Sequence, residues 1–318
     1  MTVALVCASH SPLMYCYARA PACHEATERL FKERAQAVRA FDPELVVIFG
    51  PDHFNGFFLK LMPPFCAGLS CRAVADIGGF AGPLRVPERE ALELIGQVRE
   101  ADVDLAVSYE MTVDHGFSQT LVRVLGALDA YPTIPIFVNG IAPPFVLFKR
   151  SRLLGQAVGR FAASLPRRVL FLASGGMSHN PLRYYPKYGT GEEAVTRYQL
   201  AGGHGTGLTS AQWLERLEIM HREGAQMLVD GTRTRADLKL NPEFDLDFLD
   251  RLCRGDWDSL DALDPASVVE RAGIGSLELH TWVAAAAAHA AAGGARPIVD
   301  IYAEALEYGI AFGMVHAG

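Results

Sequence analysis

Half of the 318 residues are apolar, enough for a sizeable core, and the net charge is −7 with Lys and Arg scattered along the chain. That distribution argues against a nucleic-acid surface or a polybasic membrane patch, and the longest apolar run, 282–292, is too short to span a bilayer. Six cysteines without C-x-x-C spacing, and no secretory-signal pattern at the start, lead to the expectation of a cytoplasmic protein with neither nucleic acid nor membrane as partner.

The chain opens with an apolar strand over 3–8 that ends on Ser9-His10-Ser11. A helix over 21–41 carries Leu30, Phe31, Ala35, Val38 and Phe41 on one face and stops at Asp42-Pro43. The second strand, 45–50, runs into Gly50-Pro51 and presents Asp52-His53, followed by Asn55, Phe57 and Phe58. Further strands are expected over 68–74, 105–108, 134–139 and 169–173, with helices over 87–101, 118–130 and 145–165. Past the strand at 105–108 comes Asp114-His115-Gly116, and past 169–173 come Gly175-Gly176 and Ser178-His179. From 180 the Tyr-, Pro- and Gly-rich stretch PLRYYPKYGTGEE reads as an excursion loop over the sheet, before helices at 210–230, 245–254 and 274–292.

Several strands are apolar nearly throughout, as in a sheet covered on both faces. Their alternation with helices predicts an α/β fold: one domain over 1–318, with a mostly parallel or mixed central sheet flanked by helices. In such sheets ligands bind beyond the carboxyl ends of the strands, so His10, His53 and His179 would converge there, with His115 as a fourth candidate. One loop histidine alone would read as an ordinary hydrogen-bonded residue; the repeated placement gives the pattern weight. Two histidines and a carboxylate on one face can hold a metal with positions left open. Glu278, on a helix otherwise built from Ala, Trp and Leu, is a candidate carboxylate, or simply an acidic residue in a first helical turn. Asp52 and Asp114 compete with it, or orient a histidine from behind. Neither G-x-S-x-G, G-x-G-x-x-G, a Walker lysine nor H-E-x-x-H is present, so these patterns reach a metal or acid/base site at strand ends and no further.

The ordered set ASHSP, FGPDHFNGFF, MPPF, LAVSYEMTVDHGF, VNGIAPP, LFLASGGMSHNP and LELHTWVAA resembles the class III extradiol ring-cleaving dioxygenases. The likeness runs almost continuously over 1–181 and returns at LNPEFD and from Gly273 to about Ala288. It implies Fe(II) held by His10, His53 and Glu278, and an acid/base pair, His115 and His179. It also implies a pocket shaped by Asn55, Phe57, Phe58 and Asp114. The implied reaction is O₂-dependent meta cleavage of a 3-substituted catechol, such as 3-(2,3-dihydroxyphenyl)propionate, to a hydroxymuconic semialdehyde-type product by a homo-oligomeric enzyme. The chain departs from the family pattern between Asn180 and about Leu240 and after Gly293, which leaves the ring substituent open. Arg183 and Lys187 could pair with a substrate carboxylate, although solvated loop charges are the plainer account. A binding or scaffold protein of the same fold and a zinc hydrolase are the rival readings; the complete set of three ligands and two acid/base histidines favours the enzyme.

Overall fold

The computed structural model describes residues 2–318. The strands in chain order are β1 (Val3–Ala8), β2 (Leu45–Gly50), β3 (Phe65–Gly68), β4 (Cys71–Ala73), β5 (Gly82–Pro83), β6 (Ala106–Ser108), β7 (Met111–Val113), β8 (Thr133–Val138), β9 (Val169–Ser174), β10 (Ile298–Ala305) and β11 (Ile310–Ala317). Eight of them form one sheet in the order β10-β11-β1-β9-β2-β8-β3-β6. Its centre, β1-β9-β2-β8, is parallel, while β11 runs antiparallel to β1 and β3 antiparallel to β8. The sheet is therefore mixed, with a parallel heart.

Every residue of β1, β2, β8 and β9 is buried, which is why these segments read as unbroken apolar runs. Alternate side chains serve opposite layers. Leu5, Val47, Phe49 and Phe171 pack with helices Phe148–Ala163 and Leu279–Ala291, whereas Val6, Ile48, Leu170 and Leu172 pack with His24–Phe41 and His115–Leu125. Each such side chain contributes about 1.5–3 kcal/mol of burial.

Two glycines bring the layer carrying Glu278 into place. A Cβ at Gly155 or Gly159 would overlap the carbonyl oxygens of Ala284 and Ala288, so helix Phe148–Ala163 lies directly against Leu279–Ala291. The Ala-rich helix is thus buried within its own chain from Leu279 to His289, and its start sits at the carboxyl edge of the sheet.

Several elements differ from the sequence expectation; the helix expected over 118–130, for one, runs over His115–Leu125. The strand expected over 68–74 is two strands: β3 joins the main sheet and β4 a three-stranded side sheet, β5-β4-β7. Between them Ser70 turns outward, its hydroxyl donating to the Tyr109 carbonyl at 2.6 Å. The excursion loop runs directly into a helix that was not expected, Glu193–Ala201, and Tyr184, Tyr185 and Tyr198 pack with Phe54 and Trp213 into a third apolar cluster. The tail after Gly293, for which no element was expected, forms the β10–β11 hairpin. β11 mixes strand formers (Ile310, Phe312, Val315) with Ala311, Gly313 and Ala317, and pairs antiparallel along β1.

Candidate metal centre and active site

His10 follows β1 by two residues, His53 follows β2 by three, and His179 follows β9 by five. Because β1, β9 and β2 are parallel neighbours, these three ends lie side by side. His115 opens helix His115–Leu125, which begins there because Asp114 caps it, accepting from the Gly116 N–H at 2.8 Å. Glu278 ends the 3₁₀ turn Ile274–Glu278 just ahead of helix Leu279–Ala291. All four histidines and Glu278 are buried and line one cavity.

Each imidazole is held by its Nδ1, which leaves Nε2 for the cavity. His10 Nδ1 hydrogen-bonds Ser174 Oγ at 2.9 Å, and Ser174 Oγ in turn meets Thr120 Oγ1 at 2.7 Å. His53 Nδ1 faces both oxygens of Asp114 at 3.3 Å, and its backbone N–H donates to Asp114 Oδ2 at 2.7 Å. His179 Nδ1 donates to the Met177 carbonyl at 2.9 Å, and His115 Nδ1 contacts Asp76 Oδ2. The Glu278 carboxylate then lies 3.6 Å from His10 Nε2, 3.3 Å from His53 Nε2 and 3.8 Å from His179 Nε2. His115 stacks on His53 with ring centroids 4.2 Å apart.

This donor set fits a divalent cation. Glu278 is buried with no Lys or Arg beside it among the described residues; its contacts are the three imidazoles and the Gly176 N–H, which donates to Oε2 at 2.8 Å. Burial opposes a charge on His53, yet Asp114 and Glu278 raise its pKa well above the usual value, and a metal at Nε2 would replace that proton. Burial pulls His10 down to about 3 against the attraction of Glu278, so its imidazole is neutral, as a ligand must be. Burial alone would raise Glu278, but the surrounding imidazoles hold it well below the usual carboxylate range. Ligand atoms of His10, His53 and His115 also fall within 4.8 Å of one another, as do those of Asp76, Asp114 and His115. Both aspartates in the latter group are occupied: Asp114 by His53, Asn55 and Gly116, and Asp76 by the backbone and ring of His115.

The family model described as the catalytic LigB subunit of aromatic ring-opening dioxygenase matches residues 4–311. The chain belongs to this family. Relatives named 2,3-dihydroxyphenylpropionate/2,3-dihydroxicinnamic acid 1,2-dioxygenase from Burkholderia vietnamiensis, a Rhodococcus species and Azotobacter vinelandii are 39%, 40% and 40% identical to it. Each alignment covers 100% of this chain and 98%, 98% and 99% of the relative. The chemistry of the protein is accordingly that of an extradiol ring-opening dioxygenase, a metal-dependent class.

Within this dioxygenase the other sequence candidates take different places. Asp52 accepts the N–H groups of Asn55, Gly56 and Phe57 and so shapes the turn that carries His53. Asn55 donates to Asp114 Oδ2 at 3.0 Å, acting on the partner of His53. Phe57 stacks on Phe137 at 3.8 Å and Phe58 packs edge-on to Tyr198 at 5.9 Å; neither lines the histidine cavity. Arg183 pairs with Glu223 at 2.9 Å, and Lys187 borders a neighbouring apolar groove.

Among the residues of the site that were not singled out in the sequence are Asp76, Tyr185, His221 and Arg233. Asp76 had a usable signal, since VADIGGF places an aspartate just past an expected strand, as PDHF does. Burial raises its pKa against the pull of His115. For the other three, in a Tyr-rich stretch, mid-helix and a Thr/Gly-rich turn, no local pattern points inward.

Proposed function

We propose that this protein is an Fe(II)-dependent extradiol dioxygenase that opens a 3-substituted catechol, such as 3-(2,3-dihydroxyphenyl)propionate, with incorporation of both atoms of O₂. One observation carries the proposal: His10 Nε2, His53 Nε2 and the Glu278 carboxylate converge in a cavity that also presents His115 and His179. Iron bound by those three residues would supply Lewis acidity toward the catechol hydroxyls and one-electron chemistry toward O₂. Two histidines and one carboxylate leave positions open for both partners.

The remaining work belongs to the chain. His115 and His179 flank the ligand set with Nδ1 anchored, so each can exchange a proton at Nε2 with the bound ring. One takes a hydroxyl proton; the other holds a proton for the oxygen at which the ring opens. Burial lowers the pKa of His179, partly offset by Glu278, which favours its neutral form. The apolar cluster around Tyr185 and Trp213 closes one side of the site and limits bulk water. All six cysteines are free thiols, in keeping with a cytoplasmic enzyme.

The test is to load the protein with Fe(II) without oxygen, then add the propionate substrate in aerated buffer and record the visible spectrum. A yellow ring-fission product together with O₂ uptake is expected. Iron-loaded protein that consumes no O₂ with any catechol would overturn the assignment. Selective retention of zinc with hydrolytic turnover would replace it by the hydrolase reading.

A further inference from the structure

Arg233 is the one Lys or Arg among the residues lining the histidine cavity, and it is 6% exposed. It donates from Nη1 to the Tyr184 hydroxyl at 2.7 Å and from Nη2 to the Asn180 carbonyl at 3.2 Å. Its guanidinium lies over the Tyr184 ring, 5.1 Å from the centroid, and Tyr184 is in turn stacked on His221 at 3.7 Å. The His221 ring is itself tied to the Leu217 carbonyl through Nδ1 at 2.6 Å. The guanidinium is thus fixed in place by neutral partners.

What it lacks is a carboxylate in contact: none among the described residues pairs with it within 4.0 Å, and Asp237 acts on it only from farther away. Its neighbours differ: Arg183 pairs with Glu223 at 2.9 Å and Arg235 with Glu304 at 2.6 Å, both arginines being more exposed. A buried guanidinium without a counter-ion is costly, and only two of its five N–H groups are used by the protein. The cavity it faces carries the ligand set and both proton-transfer histidines, so an anion bound to Arg233 would belong to the molecule being transformed.

We propose that Arg233 is the receptor for a carboxylate on the ring substituent of the substrate and so determines specificity for acidic side chains. This rests on the catechol-cleaving reading and deepens it: the ring would sit at the metal-binding end of the cavity, and a guanidinium fork holds the far end. Tyr184 and His221 act as positioning residues that aim the fork. The role once open to Arg183 or Lys187 falls instead to a residue 50 positions further along the chain than Arg183.

The test compares wild-type with Arg233→Met and Arg233→Lys on two catechols, 3-(2,3-dihydroxyphenyl)propionate and uncharged 3-propylcatechol. The ratio of kcat/KM for the acid over the alkylcatechol should fall about 10²-fold in the Met variant, mostly through KM. In the Lys variant, which keeps the charge but not the fork, it should fall about tenfold. Should the Met variant not fold, the Lys variant carries the test. An unchanged ratio, including equal losses on both substrates, overturns the assignment.

Calorimetric binding of 3-phenylpropionate, which has no catechol oxygens, separates this proposal from the parent reading. If wild-type opens no catechol yet binds 3-phenylpropionate, and the Met or Lys variant does not, the anion receptor stands while the proposed reaction fails. If wild-type cleaves the acid but binding and turnover ignore both changes at Arg233, the receptor is wrong and the reaction stands.

Discussion

Asp76 holds His115 at two points: Oδ1 accepts the backbone N–H at 2.9 Å, and Oδ2 contacts Nδ1 of the ring. The carboxylate therefore sets both the position of the imidazole and the tautomer that leaves Nε2 free. Asp76→Asn should lower kcat about 10–100-fold while metal content stays at the wild-type level. Paired metal analysis and turnover check this; loss of metal would show that His115, rather than Glu278, completes the ligand set.

The ligand and proton-transfer roles make opposite predictions. His10→Ala and Glu278→Gln should abolish stoichiometric metal retention after dialysis. His115→Ala and His179→Ala should retain metal and lose about 10²–10⁴ in turnover. Normal turnover in either of the latter variants would remove that histidine from the mechanism.

His179 sits between two glycines. A Cβ at Gly275 or at Gly176 would overlap its imidazole. Gly275→Ala should therefore displace the ring, lowering kcat with little change in metal content and costing about 1–3 kcal/mol of stability. Activity assays and thermal melts read both effects; a variant with wild-type turnover would show that the ring has room to shift without consequence.

Asp245, in the LNPEFD motif, accepts the Ser178 N–H at 2.9 Å, the Ser178 hydroxyl at 2.5 Å and the Tyr302 hydroxyl at 3.0 Å. Burial outweighs these bonds and pushes its pKa up to about 6. The folded state then holds more protons than the unfolded one between about pH 4 and 6, so the contribution of this group to stability falls as pH rises through that window. Relative to Asp245→Asn, the wild-type should lose up to about 3 kcal/mol between pH 4 and 6.5 and nothing more above it. Urea titrations of both proteins across that range test the slope; parallel curves would place the ionisation elsewhere.

The fold class, the strands β1, β2, β8 and β9 within a residue or two, and the helix Ser210–Asp230 were legible in the amino-acid order. It also showed that histidines come just past three of the strand ends. These are local matters: a fully buried parallel strand leaves an apolar run, and the residues beyond its carboxyl end are its neighbours in the chain. The β10–β11 hairpin was not expected, although Ile298, Val299, Ile301, Tyr302, Ile310, Phe312 and Val315 are strand formers; its place in the sheet depends on pairing with β1, which joins residues some 300 positions apart. Nor was the division of Phe65–Ala73 between two sheets, which depends on which neighbours each half meets.

The partners of the site residues emerge only from the folded chain. Asp76 reaches His115 across 39 residues, Glu278 reaches His53 across 225, and Arg233 meets Tyr184 across 49. A titratable side chain reads alike in the sequence whether it is solvated or buried. Its chemistry is set by burial and by the charges beside it, and both appear only once the chain has closed on itself.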